Sequence, residues 1–141
     1  MSIEAAIHER WRICRQLIDL IPDAKLWTGE VPFEDAAGQK ILAPYASIVV
    51  APDMTTTRTS SRNRIAQGTL TLKVWAGTLA AAQNIVDKAR DWFNRADFDY
   101  SRGRVLDMRS GERTSAEEAD NDDSPIWSVA ITFDFSILER P

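Results

Sequence analysis

Two side chains that could support nucleophilic catalysis occur once each: His8 is the single histidine and Cys14 the single cysteine. A serine hydrolase needs a histidine base, and the G-x-S-x-G turn that presents many such serines is absent. His8 lies beside Ile7 in a helical pattern, so we interpret it as a partly exposed helix residue. Cys14 falls on the apolar stripe of the same pattern, as a small buried hydrophobe would. We predict no catalytic residue.

Carboxylates and glycines, which could bind metal ions or phosphate, lack the required spacing. The acidic run 120–123 is superficially like a calcium loop, but Pro125 takes the place of the glycine and Ile131 that of the final glutamate. The 6 glycines stand alone and form no phosphate-binding loop. We therefore predict no metal site and no cofactor, and we interpret the acidic run as a solvated loop.

The composition is that of an ordinary globular protein, with 44% hydrophobic and 27% charged residues. Its length of 141 residues fits one domain, so we predict a single domain over residues 1–141. The longest apolar run, 46–51, is far shorter than the roughly 20 residues that span a bilayer. The lone cysteine favours a reducing compartment, and we expect no membrane contact.

Charge is unevenly distributed along the chain. The net charge of −4 argues against general affinity for DNA, which requires clustered cations. The ionisable residues between 54 and 86 are nevertheless all basic, whereas those between 112 and 123 are acidic apart from Arg113. No aromatic residue interleaves the arginines, so we predict no sequence-specific binding of nucleic acid.

Two helices are expected from apolar residues at spacings of three and four. Ser2 can cap the first helix, which Pro22 stops and which is about 28 Å long at 1.5 Å per residue. Thr78 can cap the second helix, which continues to Phe93. This second helix should cover a sheet.

Alternation and β-branched residues predict the strands. They indicate a short extended piece over 26–31, a buried strand over 44–51, a strand over 69–76 and a long final strand over 127–138. Residues 53–64 could form a flexible loop or the arm of a hairpin. A further candidate strand, 105–108, leads into the polar stretch 110–125, which is long for a structureless connection.

These elements predict an α+β fold: an antiparallel or mixed sheet of about four to five strands, with two main helices packed on one face. The final strand is longer than most and would extend beyond its own sheet unless it is bulged. Such an extension would create an edge that another subunit could use.

The order of several segments resembles the tail-completion and tail-terminator proteins of long-tailed phages and prophages. The segments are the first helix, APYASIVV, GTLTLKVWAGTLAAAQNIVDKARDWF and the closing PIWSVAITFDFSIL. The resemblance implies a non-enzymatic subunit of a homo-oligomeric ring, expected to be a hexamer, which caps the tail tube and joins it to the head-tail connector protein. The implied partners are other copies of the chain, the tail tube protein and that connector. The implied location is the host cytoplasm during assembly and then the virion tail.

A ring requires a head-to-tail interface in which two different surface patches meet. The segregated charges could form such a pair, and a tryptophan on a polar strand face is a further candidate contact. The candidate interface residues are Arg58, Arg62, Arg64, Trp75, Glu117, Glu118, Asp120, Asp122 and Asp123. Alternatively, the two charged loops are solvated or meet within one chain. The alternative functions are another head-tail connector or minor structural phage protein, or a small enzyme.

Overall fold

The computed structural model describes residues 2–32, 34, 36–51, 55–58, 63–119 and 125–140. Its helices are α1 (Ser2–Arg12), α2 (Arg15–Ile18) and α3 (Leu79–Phe93), with a 3-10 turn at Asp23–Lys25. Its strands are β1 (Leu26–Thr28), β2 (Tyr45–Val50), β3 (Thr55–Arg58), β4 (Arg64–Ala76), β5 (Phe98–Tyr100), β6 (Gly103–Ala119) and β7 (Pro125–Glu139).

The first helix is shorter than the sequence predicts, because the chain turns after Arg12. Cys14 has an extended backbone, with φ −93° and ψ 100°, and α2 starts at the next residue. The turn lets the indole N–H of Trp11 donate to the carbonyl oxygen of Ile21 at 2.9 Å. Both side chains are fully buried. The apolar spacing therefore identified the buried residues correctly, but a single straight helix was the wrong prediction.

The second helix begins as predicted. The Thr78 side chain accepts a hydrogen bond from the backbone N–H of Ala81 at 3.1 Å, which satisfies one of the free donors at the start of α3. The buried face of α3 ends at Phe93, whose ring stacks on Trp11 at 6.4 Å and meets Phe133 of β7 edge-on at 6.2 Å. This contact places the centre of the core between the helices and one face of the sheet.

The seven described strands form one mixed sheet in the order β1-β2-β4-β7-β6-β5, with β3 beside β4. Among the described strand pairs, only β1–β2 is parallel. The sheet is curled like half of a barrel, and the helices are small beside it. The α+β prediction with four to five strands is therefore wrong, because the fold is mostly β and has more strands.

The error in the predicted class lies largely in the polar stretch 110–125. Residues 110–119 continue β6 and pair with β7 up to Ala119 opposite Pro125. Two register shifts, at Val105/Asp107 and Ser110/Arg113, bend the strand. The side chains beyond Ser110 are mostly exposed, so no apolar face marks them as a strand. Pairing with β7, a long-range interaction, holds them extended.

The hairpin of β6 and β7 is also tied to α3. The Arg113 guanidinium lies 2.8 Å from the Asp87 carboxylate, which itself is within 3.8 Å of Arg90 on the same helix. Closer to the core, the backbone N–H of Ser110 donates to the Asn94 side chain at 2.8 Å. These bonds hold the middle of β6, at Ser110 and Arg113, against the second half of α3 and the residue that follows it.

Candidate subunit interface

The basic candidates lie where β3 and β4 meet. Arg58, the last residue of β3, is opposite Arg64, the first residue of β4. The Arg64 guanidinium lies 3.5 Å from the carboxylate of Glu139, the last residue of β7. Arg62 lies outside the described residues. The structure therefore places Arg58 and Arg64 together at the end of the sheet where β7 finishes.

The acidic candidates lie at the other end of the same sheet. Glu117 is exposed and opposite Trp127, and Glu118 lies 3.2 Å from the ammonium group of Lys73. Asp120, Asp122 and Asp123 fall outside the described residues.

The described basic and acidic candidates do not meet within one chain. Arg64 is opposite Glu139 and Glu118 is opposite Ile126, so almost the whole of β7 separates them. At about 3.4 Å per residue this separation is roughly 40 Å. Arg64 is instead paired locally with Glu139, and Glu118 with Lys73. The assignment of these residues to a subunit interface stays a prediction.

Trp75 lies on the face of the sheet away from the helices, hereafter the polar face. It stacks on Tyr45 at 5.1 Å between ring centroids, and Tyr45 meets Trp27 edge-on at 6.5 Å. The Lys73 ammonium lies 4.8 Å from the centroid of the Trp75 ring. Trp75 is thus a half-buried member of an aromatic cluster formed by Trp27, Tyr45 and Trp75.

The aromatic cluster borders a cleft of about 410 Å³. The sheet supplies Tyr45, Lys73, Trp75 and Glu118 to its lining, and the chain between β1 and β2 supplies residues 29–32 and Ile41. The cleft therefore combines aromatic surface with one ion pair. Sequence reasoning identified Trp75 and Glu118 but missed Tyr45 and Lys73, because their proximity depends on the register of β2, β4 and β6.

Glu118 is held in its ionised form in this cleft. Partial burial raises its pKa, but side-chain hydrogen bonds with Ser128, Lys73 and Trp75, together with the positive charge of Lys73, outweigh that effect. The net pKa is lower than the ordinary glutamate value of 4.5. Glu118 and Lys73 therefore form an ion pair at neutral pH, and both side chains are about one-third exposed, at 35% and 37%.

His8 joins three elements. Its Nδ1 lies 3.0 Å from a carboxylate oxygen of Asp23, and its Nε2 lies 3.0 Å from the Thr28 hydroxyl. Arg12 donates to the same carboxylate at 2.9 Å. Burial raises the pKa of Asp23, but hydrogen bonds with His8 and Arg12 lower it below the ordinary value of 3.8. This arrangement fastens α1 to the 3-10 turn and β1.

A second cleft, of about 420 Å³, lies further along the polar face. Its charged groups are already bonded to neighbours: Arg109 donates to Asp107 at 3.0 Å, and Asp134 accepts from the Thr69 hydroxyl at 2.9 Å. Among the residues that the structure describes, no group of three histidine, cysteine, aspartate or glutamate side chains could hold a metal ion. No described helix is long and apolar enough to cross a membrane.

One edge of the sheet lacks a neighbouring strand in the described chain. Among the described strands, β5 pairs with Gly103–Val105 of β6. The two residues that follow α3 bond to the next part of β6: the Arg95 N–H donates to the Met108 carbonyl oxygen, and the Asn94 side chain accepts from the Ser110 N–H. Beyond it, residues 111–119 form no described backbone hydrogen bond on the side away from β7. We call this segment the open edge. It is about 30 Å long at 3.4 Å per residue.

The sequence and the fold were compared with those of known proteins. No protein-family model matches the sequence, and no curated protein matches it either. Among solved structures, the chain is similar to one described as "Virion of native gene transfer agent (GTA) particle", with a TM-score of 0.64. The match covers 94% of this chain and 91% of that chain at 16% sequence identity. At this identity the likeness is one of fold.

Proposed function

We propose that the chain is a structural subunit of a phage-like particle and that it acts by binding other virion proteins and not as an enzyme. The fold likeness to a chain of a gene transfer agent virion carries this proposal, because it extends over nearly the whole of both chains. Asp107, Arg109 and Asp134 in one polar-face cleft are bonded to their own neighbours, which also favours a scaffold over a reaction centre. The same holds for Lys73 and Glu118 in the other cleft.

Within such a particle, the proposed position is the end of the tail. Residues 1–141 would act as a single domain, which the continuous hydrophobic core supports. The chain would form a ring, with six copies as the expected number, between the tail tube protein and the head-tail connector protein. Basic and acidic candidates at opposite ends of the sheet support a head-to-tail contact, since such a contact joins two different patches. Assembly would take place in the host cytoplasm and end in the virion tail.

The test combines mass measurement with electron microscopy. Light scattering across a concentration series is expected to show a shift from monomer to one closed oligomer. Purified protein incubated with isolated tail tubes of the same particle is expected to add a ring of density at one tube end. Density on head connectors alone would assign the chain to another connecting role, and absence from both structures would contradict the proposed location. Tubes without added protein provide the control.

A further inference from the structure

The open edge differs from the other side of the sheet in its length. Free N–H and C=O groups pair readily with another strand, and natural proteins blunt exposed edges with proline, short strands, charged side chains, bulges or a covering element. Residues 111–119 contain no proline and form no described backbone hydrogen bond on their outer side. They include a register shift at Ser110/Arg113 and four charged side chains, so a partner strand must match their charge. An edge of this length is a template for strand addition.

A second edge is available on the opposite side of the sheet. β3 pairs with β4 through Thr55 to Arg58, and no other described strand pairs with it. Its three threonines have high strand propensity, and the described side chains Thr56 and Thr57 are exposed. On this side the outermost described strands are β1 and β3, and on the other side they are β5 and the open edge of β6. The two sides therefore present different strands, as head-to-tail pairing between identical subunits requires.

Direction and charge both favour pairing of these two edges. β3, β4, β7 and β6 alternate in direction, so β6 of one copy placed beside β3 of the next would be antiparallel to it when the sheets share one orientation. The open edge carries Glu112, Glu117 and Glu118 against one arginine, whereas β3 ends at Arg58 and Arg62 follows soon after.

The open edge and β3 lie towards opposite ends of the sheet, so neighbouring copies must be shifted along the strand direction to pair them. A closed ring allows such a shift when its strands are tilted relative to the ring axis, because each copy then pairs with its neighbour at a different position along the strand.

We propose that the open edge of one copy pairs as an antiparallel strand with β3 of the next copy, so that the sheet continues from subunit to subunit. This inference rests on the proposed function, since it specifies how the ring would form. The partner is a second copy of this chain.

Cysteine cross-linking tests the contact directly. Thr57 lies opposite Ile65 in β4, and Thr114 lies opposite Ala130 in β7, which places both exposed threonines on the polar face. A chain carrying Thr57→Cys and Thr114→Cys is expected to form a ladder of disulfide-linked oligomers under mild oxidation. Thr57→Cys with Ala116→Cys tests the adjacent register.

The matched control is Thr57→Cys with Ala80→Cys, because Ala80 is exposed on α3. The native Cys14 is buried and stays in all variants.

Hydrogen exchange gives a second, independent readout on the unmodified protein. In the oligomer, alternate backbone N–H groups of residues 111–119 are expected to exchange at least tenfold more slowly than at dilutions where the monomer prevails. An oligomer without this protection, and without cross-links in either register, would overturn the strand pairing and leave the proposed function standing. A chain that stays monomeric at every concentration would contradict both the pairing and the ring.

Discussion

Trp75 is a half-buried aromatic residue whose ring is partly covered by side chains of its own chain. One ring face lies against Tyr45, and the Lys73 ammonium approaches the ring at 4.8 Å. Lys73 also holds Glu118, so the tryptophan, the lysine and the glutamate form one connected unit across β4 and β6. A partner that binds the cleft would therefore meet a prearranged surface.

The ionisation of Glu118 links this unit to pH. Its pKa is lower in the folded protein than the ordinary value of 4.5, so its contribution to stability is complete above that pH. The contribution is lost as the pH falls through the lowered pKa. We expect Glu118→Gln to reduce the free energy of unfolding at pH 7 by about 0.5 kcal/mol, as for a partly screened ion pair. Urea unfolding at pH 7 and at a series of lower pH values measures the contribution and its loss.

The control for this prediction is Glu117→Gln, because Glu117 is adjacent and exposed, and no ion pair is described for it. We expect the difference between wild type and Glu118→Gln to shrink as the pH falls through the lowered pKa of Glu118, because the wild-type carboxyl group then becomes neutral. A difference that stays the same at every pH would show that Glu118 stabilises the fold by packing and not by charge.

At the residue scale, the sequence predicted which side chains are buried better than which side chains meet. Cys14 and Trp11 are buried as the apolar stripe predicts. By contrast, the pairs Lys73–Glu118 and His8–Asp23 join separate elements, and their contacts depend on register and on the turn after Arg12. No local pattern in the sequence encodes these distances.

At the scale of elements, β6 shows why a strand can escape detection in the sequence. Local strand prediction uses one apolar and one polar face, but beyond Ser110 this strand has few buried side chains. Its extended backbone is fixed by β7, whose alternation of large apolar residues is clear. The sequence therefore predicts β7 from its own pattern, whereas the full length of β6 follows only once β7 is in place.

The start of the β6–β7 pairing depends on close backbone contact at Gly103. A Cβ atom there would collide with the carbonyl oxygen of Leu138, which belongs to the backbone of β7 and cannot rotate away. We expect Gly103→Ala to lower the free energy of unfolding by about 1–3 kcal/mol, as for other overpacked sites. Equilibrium urea denaturation provides the measurement.

Gly77→Ala is the matched control, because no atom lies within 4 Å of a Cβ built at that position. Its stability should equal or slightly exceed that of wild type, since alanine restricts the unfolded chain. Equal loss of stability in both variants would mean that the effect comes from backbone freedom and not from the close approach of β6 and β7.

At the scale of the whole molecule, the sheet holds the described basic and acidic candidates at its opposite ends. The described basic and acidic candidates are roughly 40 Å apart at 3.4 Å per residue, which is several times the Debye length of about 10 Å at 0.1 M salt. They therefore have little effect on each other within one chain. Between copies arranged head to tail, the same two patches could lie side by side.

This difference yields a prediction about charge reversal. Arg58→Glu together with Arg62→Glu is expected to weaken self-association by roughly tenfold or more at low salt, because like charges then face the neighbour. Arg64 is left unchanged, since its reversal would place a second carboxylate beside Glu139 and disturb the chain itself. Sedimentation across a concentration series measures the dissociation constant.

The control and the rescue identify where the charge acts. Reversing Arg15 and Lys88, which lie on α2 and α3, changes the net charge equally but should leave self-association nearly unchanged.

Adding Glu112→Arg and Glu117→Arg to the Arg58→Glu, Arg62→Glu chain should restore self-association, because attraction then returns with the signs exchanged. The effect should fade at about 1 M salt, where the Debye length is near 3 Å. If the control variant weakens self-association as much as the test variant does, net charge governs assembly and the two patches do not meet.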